Sequence, residues 1–460
     1  MGEHESASLT VPDRVWPSLA EESRSLLKLA VPLISGQLTQ MLMGVVDTVM
    51  IGGIGVVPLG ASTFANSLLA VPFVTGIGLM TSVSVRVSQG HGANDPEAVG
   101  SVLRHGTWLA LMWGLMVVAV VGGLLGFLDR FGQPTEVVER APVYLMTCAV
   151  SMVPVMLTMA WKNHADALSQ PWTPFWIGLG AIGLNAFLNW LWIHGHWGFP
   201  AMGLEGAGYA TLVARVVATG VLFVWLNRSA RLRKWVPLRW LARCDWKGFA
   251  ELLRIGVPGS LHLLTEVTAF VMASLMIGTL GVVPLAAHQV AMTCAGTAFM
   301  VPLGMAMATT VRVGEIVGAN ERPRLHRVLS LSWLFAAGFM SASMVLFFFF
   351  GKPLAGLFVA DEAVVSSAAA LLVVAVVFQL FDGLQVVSVS ALRGVNDVAV
   401  PAWMAAFAYW GLAMPLGWYW GLKLGWGASG VWLAMAVGLA VAALLLGRRA
   451  WRLLDSRVFD

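Results

Sequence analysis

The sequence predicts an all-α membrane protein of twelve transmembrane helices, arranged as two pseudo-symmetric six-helix lobes. Three observations carry this: a charge-poor composition, apolar runs of helix-spanning length, and a long internal repeat. Of 460 residues, 58% are hydrophobic and 11% charged, whereas a soluble domain carries about 25% charged residues. A fold in water cannot bury so much apolar surface, so lipid must solvate the remainder. In hydrocarbon every backbone N–H and C=O needs an internal partner, which leaves only helices and closed barrels. The apolar runs are about 20 residues long, as helices require; barrel strands would need about 10, with alternating polarity.

Hydropathy places the spans near 27–51, 56–86, 102–127, 139–160, 172–194, 203–226, 252–280, 284–314, 327–350, 364–391, 400–421 and 426–447. Charge asymmetry supports an even count. The segment after the sixth span holds Arg228, Arg231, Arg233, Lys234, Arg239, Arg243 and Lys247. Arg322, Arg324 and Arg327 follow the eighth, and the tail adds Arg448, Arg449, Arg452 and Arg457. The alternate loops are poor in bases: 195–202 has none, and 128–138 sets Arg130 beside Asp129 and Glu136. This pattern predicts both termini inside. The expected division is a cytoplasmic segment 1–26, a lobe 27–226, a basic linker 227–251, a lobe 252–447 and a tail 448–460. Residues 1–26 mix acids with Arg14 and Arg24 and lack the order of a signal peptide. A multi-pass integral protein of the lipid bilayer is expected. The net charge of +4 lies in short loops and is no nucleic-acid signature. Cys148, Cys244 and Cys294 are scattered and imply neither disulfides nor a metal site.

The repeat is the strongest signal. Val31-Pro32 recurs as Val257-Pro258, and Gly55-Val56-Val57-Pro58-Leu59 as Gly281-Val282-Val283-Pro284-Leu285. Val85-Arg86-Val87 recurs as Val311-Arg312-Val313, and Gly92-Ala93-Asn94 as Gly318-Ala319-Asn320. Every pair is 226 positions apart (257 − 31, 281 − 55, 311 − 85, 318 − 92). Two like bundles about an axis along the membrane normal enclose a cleft that rocking can open to either side in turn.

Ionisable groups inside a bilayer cost about 2.5–3.5 kcal/mol each on insertion scales, and their default reading is functional. Asp47 in the first span, Glu266 in the seventh and Asp382 in the tenth stand out. At 1.5 Å per residue Glu266 lies about 21 Å and Asp382 about 15 Å from the inner face. Both therefore occupy the middle of a core about 30 Å thick. They can converge on one cavity, where two carboxylates cannot both stay charged without a cation. A proton or Na⁺ meets that need, and its release leaves an anionic site, so ion and substrate binding become linked. Asp47 lies nearer the outer leaflet. The repeat sets Gln40 opposite Glu266, Ala273 opposite Asp47 and, with an offset of 224, Thr158 opposite Asp382 (382 − 158). The lobes have therefore diverged chemically.

Supporting candidates surround these acids. Thr265 adjoins Glu266, and His262, one turn earlier, faces the same side as a proton partner or a core histidine. Asn185 and Asn189 are one turn apart in the fifth span, suited to interhelical bonding or to cation coordination near Asp47. His288 and Gln289 follow a loop, as capping or packing residues. Among 23 Met, 21 Trp and 22 Phe, a few can line an adaptable cavity for lipophilic cations. No Walker, His-Glu-x-x-His or Gly-x-Ser-x-Gly motif occurs, so neither ATP hydrolysis nor these catalytic chemistries is expected. His194 and His196 have no third ligand for a metal. No enzyme activity and no cofactor are expected.

The chain resembles the MATE family of multidrug and toxic compound extrusion antiporters, in its bacterial NorM-like branch, from about Leu27 to Leu446. The resemblance rests on Val45-Val46-Asp47-Thr48-Val49-Met50 with Gly52-Gly53, Phe187-Leu188-Asn189-Trp190, Glu266-Val267-Thr268, Ala286-Ala287-His288-Gln289-Val290, Val311-Arg312-Val313-Gly314 and Leu392-Arg393-Gly394. It implies two six-helix lobes in a V, exporting small organic cations in exchange for Na⁺ or H⁺. It further implies a cation site at Glu266 and Asp382, with Na⁺ as one candidate ion, and an acid at Asp47 with Asn185 and Asn189 nearby. Two departures bear on the ion. Phe378 stands where such proteins often have tyrosine, which removes a phenolic oxygen, and asparagine stands where archaeal relatives place a second acid in the fifth span. The alternative is a lipid-linked precursor flippase of the same fold superfamily. A flippase would need several bases in the cleft, whereas the mid-span charges read as acidic.

Overall fold

The computed structural model describes residues 17–240, 242 and 245–454. Arg14, Arg243, Cys244 and Arg457 lie outside the described residues. Among the described residues, twelve helices are long and apolar enough to cross a membrane. In order they are α1 (Leu19–Gly52), α2 (Val56–Gly92), α3 (Pro96–Leu124), α4 (Thr135–Val150) with α5 (Met152–Ala167) as one broken span, α6 (Trp172–His194) and α7 (Leu204–Arg228). There follow α8 (Trp246–Gly278), α9 (Val282–Gly318), α10 (Leu325–Gly356), α11 (Glu362–Gly394), α12 (Ala399–Ala406) with α13 (Met414–Gly417) as one span, and α14 (Gly427–Leu453).

Several helices run beyond their apolar cores. α1 starts at Leu19 rather than 27, α8 at Trp246 rather than 252, and α14 ends at Leu453 rather than 447. The segment, linker and tail thus contribute helical turns. Hydropathy marks the part that needs lipid, whereas the helix ends at its cap. Ser18 and Glu21 close a capping box on α1, and Asp95 caps α3 ahead of Pro96. Each cap satisfies otherwise orphaned N–H groups. The eleventh span departs from α geometry. Phe407–Ala413 and Trp418–Lys423 are π-helical on either side of α13. Pro415, within α13, has no N–H to continue the usual ladder.

The repeat is visible in the backbone. Gly55 and Gly281 adopt φ of 130° and 122°, and Asn94 and Asn320 φ of 53° and 55°. It is also visible in the packing. α2 packs on α8 and α9, while α1 packs on α9. A Cβ at Gly78 would meet the Ser260 backbone at 2.4 Å, and one at Gly304 the Ile34 backbone at 2.6 Å. These contacts are related by the same 226-position offset (304 − 78, 260 − 34). The sequence halves therefore meet across a pseudo-two-fold seam built from α1, α2, α8 and α9.

Candidate cation and substrate site

The seam is tightly closed at the end where α2 and α9 terminate. Beside the α2 and α9 C-termini, a Cβ at Gly92 would lie 1.9 Å from the Glu315 carbonyl oxygen, and one at Gly318 1.9 Å from that of Gln89. Side chains reinforce the closure. Arg312 donates to Glu22 at 2.8 Å and to Glu315 at 2.9 Å. Arg324 reaches Glu22 at 2.6 Å, and His91 lies 3.1 Å from Glu315. Arg86 pairs with Glu251, and Gln89 donates to the Gly394 carbonyl. A cavity of about 490 Å³ remains among these groups, also lined by Lys28 and Ser169. Towards the opposite end, Met41–Thr297 and Thr75–Ser260 are the outermost hydrogen bonds across the seam among the described residues. Beyond them Val45 and Val49 of α1, and Val271 and Leu275 of α8, are exposed.

The first polar cluster belongs to the second half. α8 supplies Glu266, α11 supplies Gln379, Asp382 and Gln385, and the π-helical stretch supplies Tyr409. The Tyr409 hydroxyl lies 2.9 Å from Gln385 Oε1 and 3.3 Å from Glu266 Oε1. Its single proton can serve one acceptor at a time. Asp382 and Gln379 are buried, yet Asp382 Oδ1 and both amide atoms of Gln379 have no partner. Asp382 is close enough to Glu266 for their charges to interact. Oxygens thus outnumber donors at a buried site, and oxygen-rich sites of this kind suit hard cations.

The structure restores the phenol that the sequence seemed to lack. Phe378 is buried against Phe270 and Trp432 and offers no oxygen, but Tyr409 brings one from another span. Sequence reading missed it. The available signal was one of only four tyrosines, set inside an apolar run. A Na⁺ bound through the phenolic oxygen should be held about tenfold more weakly in Tyr409→Phe, a difference of about 1.4 kcal/mol. Titration of the purified protein with Na⁺ checks this.

The other expected residues divide. Thr265 offers its carbonyl to Trp410 Nε1 at 3.3 Å. His262 is buried, but its ring reaches the Pro401 carbonyl and Nδ1 finds no partner; no hydrogen bond joins it to Glu266. His288 packs as expected, bonded to Ser274 at 2.7 Å and Trp432 at 3.0 Å. Gln40 and Gln289 are exposed, and neither side chain has a hydrogen bond to the cluster.

A second cluster forms in the first half. Asn189 donates to Asp47 at 2.8 Å and to Asn185 Oδ1 at 3.1 Å, and Asn185 donates to Thr211 at 3.3 Å. Both asparagines are fully buried, and Asn189 Oδ1 is unpaired. α7 adds a residue the sequence reading passed over. Arg215, midway along its span, donates to Ser151 Oγ at 2.6 Å and lies within electrostatic range of Asp47. The mid-span charges are therefore not all acidic.

The MatE family model matches this chain twice, at residues 32–191 and 258–419. A probable multidrug resistance protein NorM of Rhizobium meliloti is 34% identical over 451 residues, covering 97% of this chain and 96% of the relative. Another, of Bradyrhizobium diazoefficiens, is 36% identical over 449 residues, covering 96% and 95%. Among solved structures, the outward-facing conformation of a multidrug resistance MATE family transporter of the MOP superfamily matches with a TM-score of 0.86 at 19% identity, covering 94% and 96%. The eukaryotic MATE transporter AtDTX14 matches with 0.84 at 18%, covering 95% and 100%.

Proposed function

Because this chain belongs to the MatE family, we propose that it is a secondary active multidrug exporter, driving lipophilic organic cations out in antiport with Na⁺ or H⁺. The observation that carries the coupling is the unpaired Asp382 oxygen beside Glu266, Tyr409 and Gln385. A bound cation completes that oxygen-rich site. Its departure leaves negative charge in a low-dielectric cavity, which favours an organic cation in its place. Binding of the two ligands is then reciprocal and antagonistic.

The basic segments favour cytoplasmic termini in a bacterial inner membrane. The sealed end is then cytoplasmic, and the opposite end faces outward. Re-forming and breaking the seal alternates access to the site. The lobes in this scheme are 27–226 and 252–447, working as a monomer. A flippase is not favoured: relatives bear multidrug resistance names, and Arg215 is bonded to Ser151 within the first half.

Dye export tests the proposal. Inverted vesicles carrying the protein should accumulate ethidium when energised. Comparing flux at fixed pH with and without Na⁺ identifies the ion. Ethidium movement indifferent to both gradients would reject antiport.

A further inference from the structure

The segment joining α7 to α8 carries positive charge that the rest of the protein leaves unanswered. Arg228, Arg231, Arg233, Lys234, Arg239 and Lys247 are all exposed, and among the described residues none of them forms an ion pair. The one acid between 228 and 247 is Asp245. It is taken up by α3, with its carboxylate 2.7 Å from His105 Nε2. The segment is nonetheless folded and fixed. Leu232 and Trp235, three residues apart at a 3-10 turn, are buried, and Trp235 meets the His91 ring edge-on at 5.1 Å. Trp240 donates to Asn227 at 3.0 Å and packs on Trp161 and Phe223. With these side chains turned to the bundle, the bases between them face away from it.

Apolar side chains share the exposed face. Leu238 is 101% exposed and Trp246 77% exposed. Their chain neighbours border one stretch of α3: a Cβ at Gly100 would lie 3.5 Å from Pro237, and one at Gly248 2.5 Å from the His105 ring. Gly100 and His105 are about 8 Å apart along that helix. The apolar run of α8 starts near 252, so Trp246 stands outside the hydrocarbon, at the level where interfacial tryptophans sit.

We propose that this segment is a binding surface for anionic phospholipid of the surrounding membrane, with its bases on the phosphate headgroups and Leu238 and Trp246 in the interface. A base cluster just cytoplasmic of a span is drawn to acidic headgroups. A soluble anion would need the bases alone, whereas exposed apolar residues beside them add binding only where acyl chains are within reach. The fixed backbone keeps the ordering cost of binding small. The proposal depends on cytoplasmic termini and is independent of the coupling ion.

Native mass spectrometry of the purified protein, titrated in micelles with phosphatidylglycerol or phosphatidylcholine, tests it. Wild type should retain phosphatidylglycerol in preference to phosphatidylcholine. The triple variant Arg231→Gln, Arg233→Gln, Lys234→Gln should bind it about a hundredfold more weakly. Lysine in place of both arginines should preserve binding, because the attraction is to charge. Arg448→Gln with Arg452→Gln removes two exposed bases at the end of α14 and should change nothing. Equal retention of both lipids, or an equal loss in the α14 variant, would overturn the proposal. Inorganic phosphate that displaces the lipid at equal concentration would assign a free-anion site and reject the lipid. Should the triple variant fail to insert, Leu238→Asp decides, since that side chain packs against nothing: binding should weaken about tenfold, and unchanged binding rejects the proposal.

Discussion

Concentrative ethidium export should stop in Glu266→Gln and in Asp382→Asn, while each protein still folds and inserts. The amides keep the shape of the acids and remove the charge that makes a bound cation necessary. An intramembrane carboxylate costs about 2.5–3.5 kcal/mol to leave uncompensated. That is the free energy available for linking ion to substrate, and its loss corresponds to about a hundredfold in relative binding. The seal between the halves lies elsewhere and has no contact with these side chains, so cycling between states survives. Each variant should therefore still bind dye and equilibrate it across the membrane without accumulating it. Vesicle fluorescence with and without an ion gradient separates the two behaviours. Concentrative export by both variants would remove the assigned site.

Gly92→Ala and Gly318→Ala should cripple export by a different route. In the closed seal a single added methyl group would lie 1.9 Å from a facing carbonyl oxygen at either position. Backbone cannot yield there as a flexible side chain would. Overpacking of this kind costs about 1–3 kcal/mol, or up to about a hundredfold in the population of the closed end. Spin-label distances between the C-termini of α2 and α9 should lengthen, and export should fall in proportion. Gly122→Ala is the control, since a Cβ there meets nothing within 4 Å, and it should leave both unchanged. The ion pairs of Glu22, Arg312 and Glu315 would hold the closed end less well once the backbones are kept apart.

Much of this architecture is legible in the residues. Twelve apolar runs demand twelve helices because lipid admits no unpaired backbone. The shared Gly-Val-Val-Pro-Leu and Gly-Ala-Asn segments predict the seam because both halves need the same turns. What escaped the sequence has physical reasons. Tyr409 reaches Glu266 from a span where π geometry alters the register, and helical periodicity cannot anticipate that. Arg215 was hidden because one base does not spoil an apolar window, and because its neutral anchor, Ser151, lies 64 residues away in sequence. Gln40 faces Glu266 only through the repeat, and correspondence under pseudo-symmetry does not imply contact. It relates equivalent places in two lobes whose chemistry has diverged. Helix termini ran past the hydropathy limits because caps, rather than lipid, end a helix.

The most direct measurement is ion counterflow in proteoliposomes with no ion gradient at the start. An outward gradient of tetraphenylphosphonium should drive Na⁺ or protons inward through the wild-type protein, and Glu266→Gln or Asp382→Asn should abolish that movement. Inward ion flux that persists in both variants, or an organic cation that leaves with no opposing ion, would contradict a cation held between these two acids.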